Sequence, residues 1–75
     1  MLSSQRGETR AERARRVALE VMTERGHYPT WAGWERRTIA GEEYLSLTCR
    51  DCGAAALIFP PRWELSGTAL EYGCR

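Results

Sequence analysis

The sequence predicts a small α+β domain, with one amphipathic helix followed by a short antiparallel sheet, and three features carry that prediction. Residues 9–25 place apolar side chains at helical spacing. Residues 35–72 break into short apolar runs divided by turn residues. A Cys-x-x-Cys-Gly segment joins two of those runs. The 75 residues suffice for one domain, residues 1–75. At this length an apolar core rarely supplies more than about 3–5 kcal/mol. A disulfide, a metal or a partner is therefore expected to complete the fold.

The helix is expected over 9–25. Thr9 and Glu12 have the spacing of a capping box, in which each side chain satisfies the other residue's backbone N–H. Ala11, Ala14, Val17, Ala18, Val21 and Met22 fall in one stripe at a period of 3.6, and Glu12, Arg13, Arg16, Glu20 and Glu24 fall opposite. Arg25 suits the negative end of the helix dipole, and Gly26 suits the left-handed residue that ends a helix. The polar segment 1–8 before the helix reads as a flexible tail.

Residues 27–34 read as an aromatic loop, since Pro29 and Gly33 oppose regular structure. Strands are expected at Glu35–Ile39 and Glu43–Thr48, joined by Ala40-Gly41-Glu42. Leu45, Leu47 and Cys49 then share one face at period 2. Ala54–Phe59 reads as a third strand ended by Pro60-Pro61, and Thr68–Tyr72, after the Ser66-Gly67 turn, as a fourth. No repeat or low-complexity tract occurs.

Cys49-Arg50-Asp51-Cys52-Gly53 concentrates the chemistry. Two thiolates two residues apart can grip one tetrahedral ion from a tight turn. A glycine after the second ligand lets the chain reverse with its amides turned toward sulfur. The turn falls between two strands, as in a zinc knuckle. A redox role for this pair needs a βαβ context in which the motif opens a helix; here Gly53–Phe59 reads as a strand. Cys74 supplies a third thiolate and His27, the only histidine, a fourth ligand, in the spacing His-x21-Cys-x2-Cys-x21-Cys. Asp51, Glu71 or a water remain alternatives to His27. An iron–sulfur cluster is disfavoured because such clusters ordinarily take four cysteines. The expected cofactor is one structural Zn2+, whose binding is worth about 10–16 kcal/mol in small zinc domains.

Gly26-His27, Cys49-x-x-Cys52-Gly53 and Gly67-x-Ala69-Leu70-x-x-x-Cys74 together resemble small zinc-ribbon-like proteins encoded in actinobacterial phages and related genomes. The resemblance covers roughly residues 26–75 and leaves the helix outside it. It implies metal ligands at His27, Cys49, Cys52 and Cys74 and little about a task. The basic residues agree with such a source: all eleven are arginine, as expected of a GC-rich genome.

Charge and composition narrow the remaining classes. A formal net charge of +1 gives no bulk attraction to nucleic acid or membranes. No apolar run approaches a membrane span and no secretory leader is visible, so a reducing bacterial cytoplasm is the expected compartment. No nucleophile–base pair or phosphate loop occurs, and four protein ligands leave a zinc ion no open position, so an enzyme is not expected. Two binding readings follow. In the first, the domain contacts another protein, as a phage-encoded modulator of a host protein would. In the second, Arg13, Arg16, Arg36, Arg37, Arg50 and Arg62, with Trp31 and Trp34, contact nucleic acid. The plainer alternative for these arginines is a solvated face, since Glu12, Arg16 and Glu20 stand at i,i+4 spacing.

Overall fold

The computed structural model describes residues 8–74. The tail expected over 1–8 therefore lies outside the described residues except for Glu8. The elements run α1 (Arg10–Glu24), β1 (Glu35–Ile39), β2 (Glu42–Thr48), β3 (Ala55–Phe59), β4 (Glu64–Ser66) and α2 (Thr68–Glu71). The strands form one antiparallel sheet in the order β1-β2-β3-β4. This is the α+β architecture expected from the sequence.

Both ends of α1 are fixed by local chemistry. At the start, Glu12 N–H donates to Thr9 Oγ1 at 3.1 Å and Thr9 N–H donates to Glu12 Oε1 at 2.8 Å, a complete capping box. At the end, Gly26 N–H donates to the Thr23 carbonyl at 3.0 Å and His27 N–H to the Met22 carbonyl at 2.9 Å. With Gly26 at φ 87° this is a Schellman motif, and it delivers His27 as the first side chain beyond the helix. Glu8 folds back onto α1 through Arg16, Nε to Oε2 at 2.8 Å.

The stripe expected on α1 faces the sheet: Ala14, Ala18 and Met22 are buried. The opposing face of the sheet follows from register. Leu45 pairs with Ile58 and Leu47 with Ala56, so Leu45, Leu47 and Cys49 lie beside Ala54, Ala56 and Ile58. Four of the eight buried core residues are alanines, Ala14, Ala18, Ala56 and Ala69. Small side chains let the helix approach the sheet closely but leave little apolar volume to bury. The largest fully buried side chains are Met22, Ile58, His27 and Cys49. Half of that set is polar, so the core runs directly into the cysteine–histidine cluster. Met22→Ala removes one of three large apolar side chains at the centre, with Leu47 and Ile58. It is expected to cost about 2–5 kcal/mol in denaturant unfolding, and a loss below about 1 kcal/mol would show that the core lies elsewhere.

The β1–β2 turn is tighter than expected. Ile39 pairs with Glu42, leaving the two-residue loop Ala40-Gly41, with φ of 52° and 82°. Two positive φ values define a type I′ turn, whose twist matches the strands. All five β1 residues are exposed, as the polar segment Glu-Arg-Arg-Thr-Ile requires.

The expected fourth strand at Thr68–Tyr72 is not formed. The fourth place in the sheet belongs to Glu64–Ser66, and Thr68–Glu71 is a single helical turn. Gly67, at φ 110°, turns the chain off the sheet edge at an angle open to glycine. Ala69, Leu70 and Glu71 are strong helix formers, and coiling them places Ala69 in the core with no exposed surface. Continuing as a strand would have left Ala69 without that contact.

Candidate metal centre

Three separate pieces of chain bring the four predicted ligands together. The helix cap presents His27. Cys49 ends the core face of β2, where its N–H donates to the Ala54 carbonyl at 2.7 Å; Gly53 N–H then donates to the Cys49 carbonyl at 3.1 Å to close the knuckle, with Gly53 at φ 81°. Cys52 stands at the exposed outer edge of that turn. Cys74 arrives from the chain beyond α2, and its N–H donates to the Arg25 carbonyl at 3.0 Å, beside the same helix end that holds His27. The aromatic loop is stitched to the knuckle by Thr30 N–H on the Thr48 carbonyl, 3.0 Å, and Arg50 N–H on the Tyr28 carbonyl, 2.8 Å.

The four ligand atoms of His27, Cys49, Cys52 and Cys74 lie within 4.8 Å of one another. Cys49 Sγ and Cys74 Sγ are 3.8 Å apart, and Cys52 Sγ is 3.4 Å from His27 Nδ1. A tetrahedral zinc with usual bond lengths holds its sulfurs about 3.8 Å apart, and a sulfur and a nitrogen about 3.6 Å apart. These two separations are those of a tetrahedral S3N set, and the donor types suit zinc. A disulfide would need the sulfurs at about 2.05 Å.

The histidine is oriented for this role. Its Nε2 lies 2.7 Å from the Tyr72 carbonyl. A carbonyl only accepts, so Nε2 carries a proton, and Nδ1 faces the sulfurs, where giving up its own proton leaves a lone pair for a metal. The Tyr72 carbonyl is also the chief reason that the His27 ring is more basic than usual, with the Cys49 and Cys52 sulfurs adding to the effect. A more basic imidazole held by a carbonyl is the usual partner arrangement behind a metal-bound histidine.

The Cys49 and Cys74 thiols are shifted in opposite directions. Burial pushes the Cys49 thiol up, but hydrogen bonds from the backbone of Cys52 and Asp51 and from the His27 ring outweigh it and bring it down to about 6. Cys74 is pushed up to about 12 by burial, then by the hydrogen bonds and charges of Cys49 and Cys52. Three thiolates cannot share so small a space without a positive charge among them. Thiolate ligation at neutral pH must then displace thiol protons, that of Cys74 above all. Zinc titration in two buffers of different ionisation enthalpy is expected to show net proton release at pH 7, and affinity that rises with pH. Binding without proton release would contradict thiolate ligation.

The other predicted contact residues do not form one patch. Arg13 and Arg16, both on α1, pair with Glu8. Arg37, on β1, pairs with Glu35 at 2.7 Å, and Arg36 beside it is exposed. Arg50 lies over the Tyr28 ring, 5.7 Å from its centroid, and Arg62 is on the β3–β4 turn. Trp34 packs against the core, whereas Trp31 is 99% exposed. The sequence reasoning missed the Tyr72 carbonyl, for which a main-chain oxygen leaves no signal. Gly26, expected to end the helix in a left-handed conformation, does so at φ 87°. Compared with known proteins, the chain matches no family model, no curated protein and no solved structure.

Proposed function

We propose that this protein is a structural zinc domain, non-enzymatic, that acts as an interaction module on another protein. The observation carrying the proposal is the His27, Cys49, Cys52 and Cys74 cluster, whose four ligand atoms lie within 4.8 Å of one another. Bound there, zinc would supply cross-linking between the helix end, the knuckle and the C-terminal segment, and four protein ligands would fill its coordination sphere.

Two observations support a protein partner over nucleic acid. Of the six arginines considered for contact, Arg16 and Arg37 hold carboxylates at 2.8 and 2.7 Å, and the six are spread over α1, β1, the knuckle and the β3–β4 turn. That mixed-charge surface lacks the continuous basic track that phosphates favour. Trp31 projects from a turn closed by Gly33 N–H on the Thr30 carbonyl at 3.1 Å, next to the Tyr28–Arg50 pair. Trp, Tyr and Arg held on rigid backbone are the side chains that dominate protein interfaces. The resemblance to small phage zinc-ribbon-like proteins extends the proposal to a phage-encoded modulator acting on a host protein in the cytoplasm. Among the described residues, no helix is long and apolar enough to cross a membrane.

The test pairs metal analysis with capture of a host protein by the tagged, zinc-loaded chain. One zinc per chain and a specific partner lost on Trp31→Ala, with zinc retained, are the expected results. A steeply salt-dependent shift of an oligonucleotide would favour nucleic acid instead, and a chain purified without metal would remove the zinc reading.

A further inference from the structure

Away from the cysteines, the N-terminal half of α1 meets the β3–β4 turn in an open cleft of about 290 Å³. Its apolar lining includes Val17, Leu65 and Trp63, and three arginines, Arg10, Arg13 and Arg62, line it as well. No carboxylate lines it among the described residues. The Arg13 and Arg62 side chains are 72% and 83% exposed, so they stand at its rim. Their neighbours Glu8 and Glu64 are each 3.9 Å away, at the limit of an ion pair. Exposed pairs that long contribute little, so both guanidinium groups can turn to a ligand without losing a strong contact.

Trp63 makes this cleft more than a gap between elements. Its backbone sits at φ 61°, a conformation that a bulky residue rarely adopts and that costs about 1–3 kcal/mol. Its N–H donates to the Phe59 carbonyl at 2.9 Å, closing the turn that carries Arg62. The side chain is partly buried against the core and also lines a second cleft of about 370 Å³. That second cleft brings in Arg15 and Arg36, with Glu43 as its one acidic residue. Trp63 thus separates two adjoining recesses whose charged residues are five arginines and one glutamate.

From this we propose that the cleft between α1 and the β3–β4 turn binds an acidic peptide segment of a partner protein, an apolar side chain seated against Val17, Leu65 and Trp63 while flanking carboxylates pair with Arg10, Arg13 and Arg62. The inference deepens the interaction-module reading by giving the partner's chemistry. Guanidinium groups pair with carboxylates in a two-pronged geometry. A recess of this volume takes one apolar side chain of leucine or phenylalanine size, and its apolar lining favours such a side chain over a bare phosphate.

The experiment uses the full zinc-loaded chain and a fluorescent peptide of about ten residues, glutamates around one phenylalanine, read by polarisation. Saturable binding is expected, weakened roughly tenfold or more by Arg10→Glu, by Arg62→Glu, or by replacing the peptide's phenylalanine with alanine. Arg37→Glu changes the same charge outside the cleft and is expected to leave binding in place. No binding of the peptide at low salt, equal loss with Arg37→Glu, or tighter binding of a thymidine oligonucleotide would each overturn the proposal. Zinc content is measured on the same samples. A chain that holds zinc and captures a partner through Trp31 but ignores the peptide refutes the cleft alone, whereas a chain without zinc refutes the broader reading.

Discussion

A strong chelator is expected to unfold the sheet and the loop before it in one cooperative step, with loss of the circular dichroism of α1 as well. The magnitudes decide this. Structural zinc contributes about 10–16 kcal/mol in small zinc domains, whereas an apolar core of this size supplies about 3–5 kcal/mol. Here that core is rich in alanine, and two of its four largest fully buried side chains, His27 and Cys49, are candidate ligands. Without the ion, a buried imidazole and three crowded sulfurs replace a cross-link among three chain segments. The 15-residue helix α1 is too short to persist alone in water. Cys52 is exposed, so a chelator can approach the ion from that side. Cys52→Ser is expected to reproduce the unfolding without chelator. An unchanged spectrum after verified metal removal would mean that packing alone holds the fold.

Gly67→Ala is expected to destabilise the zinc-loaded protein by about 3 kcal/mol or more, the sum of backbone strain and a steric clash. Gly67 has φ 110°, and a Cβ there would lie 2.3 Å from the Ala55 carbonyl oxygen and 3.3 Å from Ala56 Cα. Those are backbone atoms of β3, and Ala56 has no exposed surface, so relief requires moving a central strand. The displacement would also travel to Cys74 through α2, so zinc affinity should fall with stability. Gly41 is the matched control. Its φ is 82° but a Cβ there meets nothing within 4 Å, so Gly41→Ala is expected to cost only the local strain, about 1 kcal/mol. Denaturant midpoints of the two variants measure the difference, and equal effects would show that the approach to Ala55 is not tight.

The order of these effects follows what the sequence made legible. The helix was readable to within a residue because both ends carry side-chain or glycine signals and the stripe between them is regular. The knuckle was readable because Cys49 and Cys52 flank a turn and lie at the end of an alternating strand. The C-terminal segment misled. Thr68 and Tyr72 favour strands, but the close approach of Gly67 to β3 and the burial of Ala69, both tertiary contacts, coil the chain into a helical turn. The arginines also divide in a way that spacing along the chain does not show. Arg10, Arg13 and Arg62 come from opposite ends of the sequence to one cleft, while Arg36 and Arg37, adjacent in sequence, point to different neighbours because side chains alternate along a strand.

Cobalt substitution tests the central claim most directly. Adding Co2+ to the metal-free chain is expected to give the intense visible absorption of a tetrahedral site with sulfur-to-metal charge transfer, saturating at one ion per chain and displaced by Zn2+. His27→Ala should change the band pattern, and Cys74→Ser should reduce the charge-transfer intensity. A weak octahedral spectrum, or saturation at one ion per two chains, would contradict a single S3N centre built from His27, Cys49, Cys52 and Cys74.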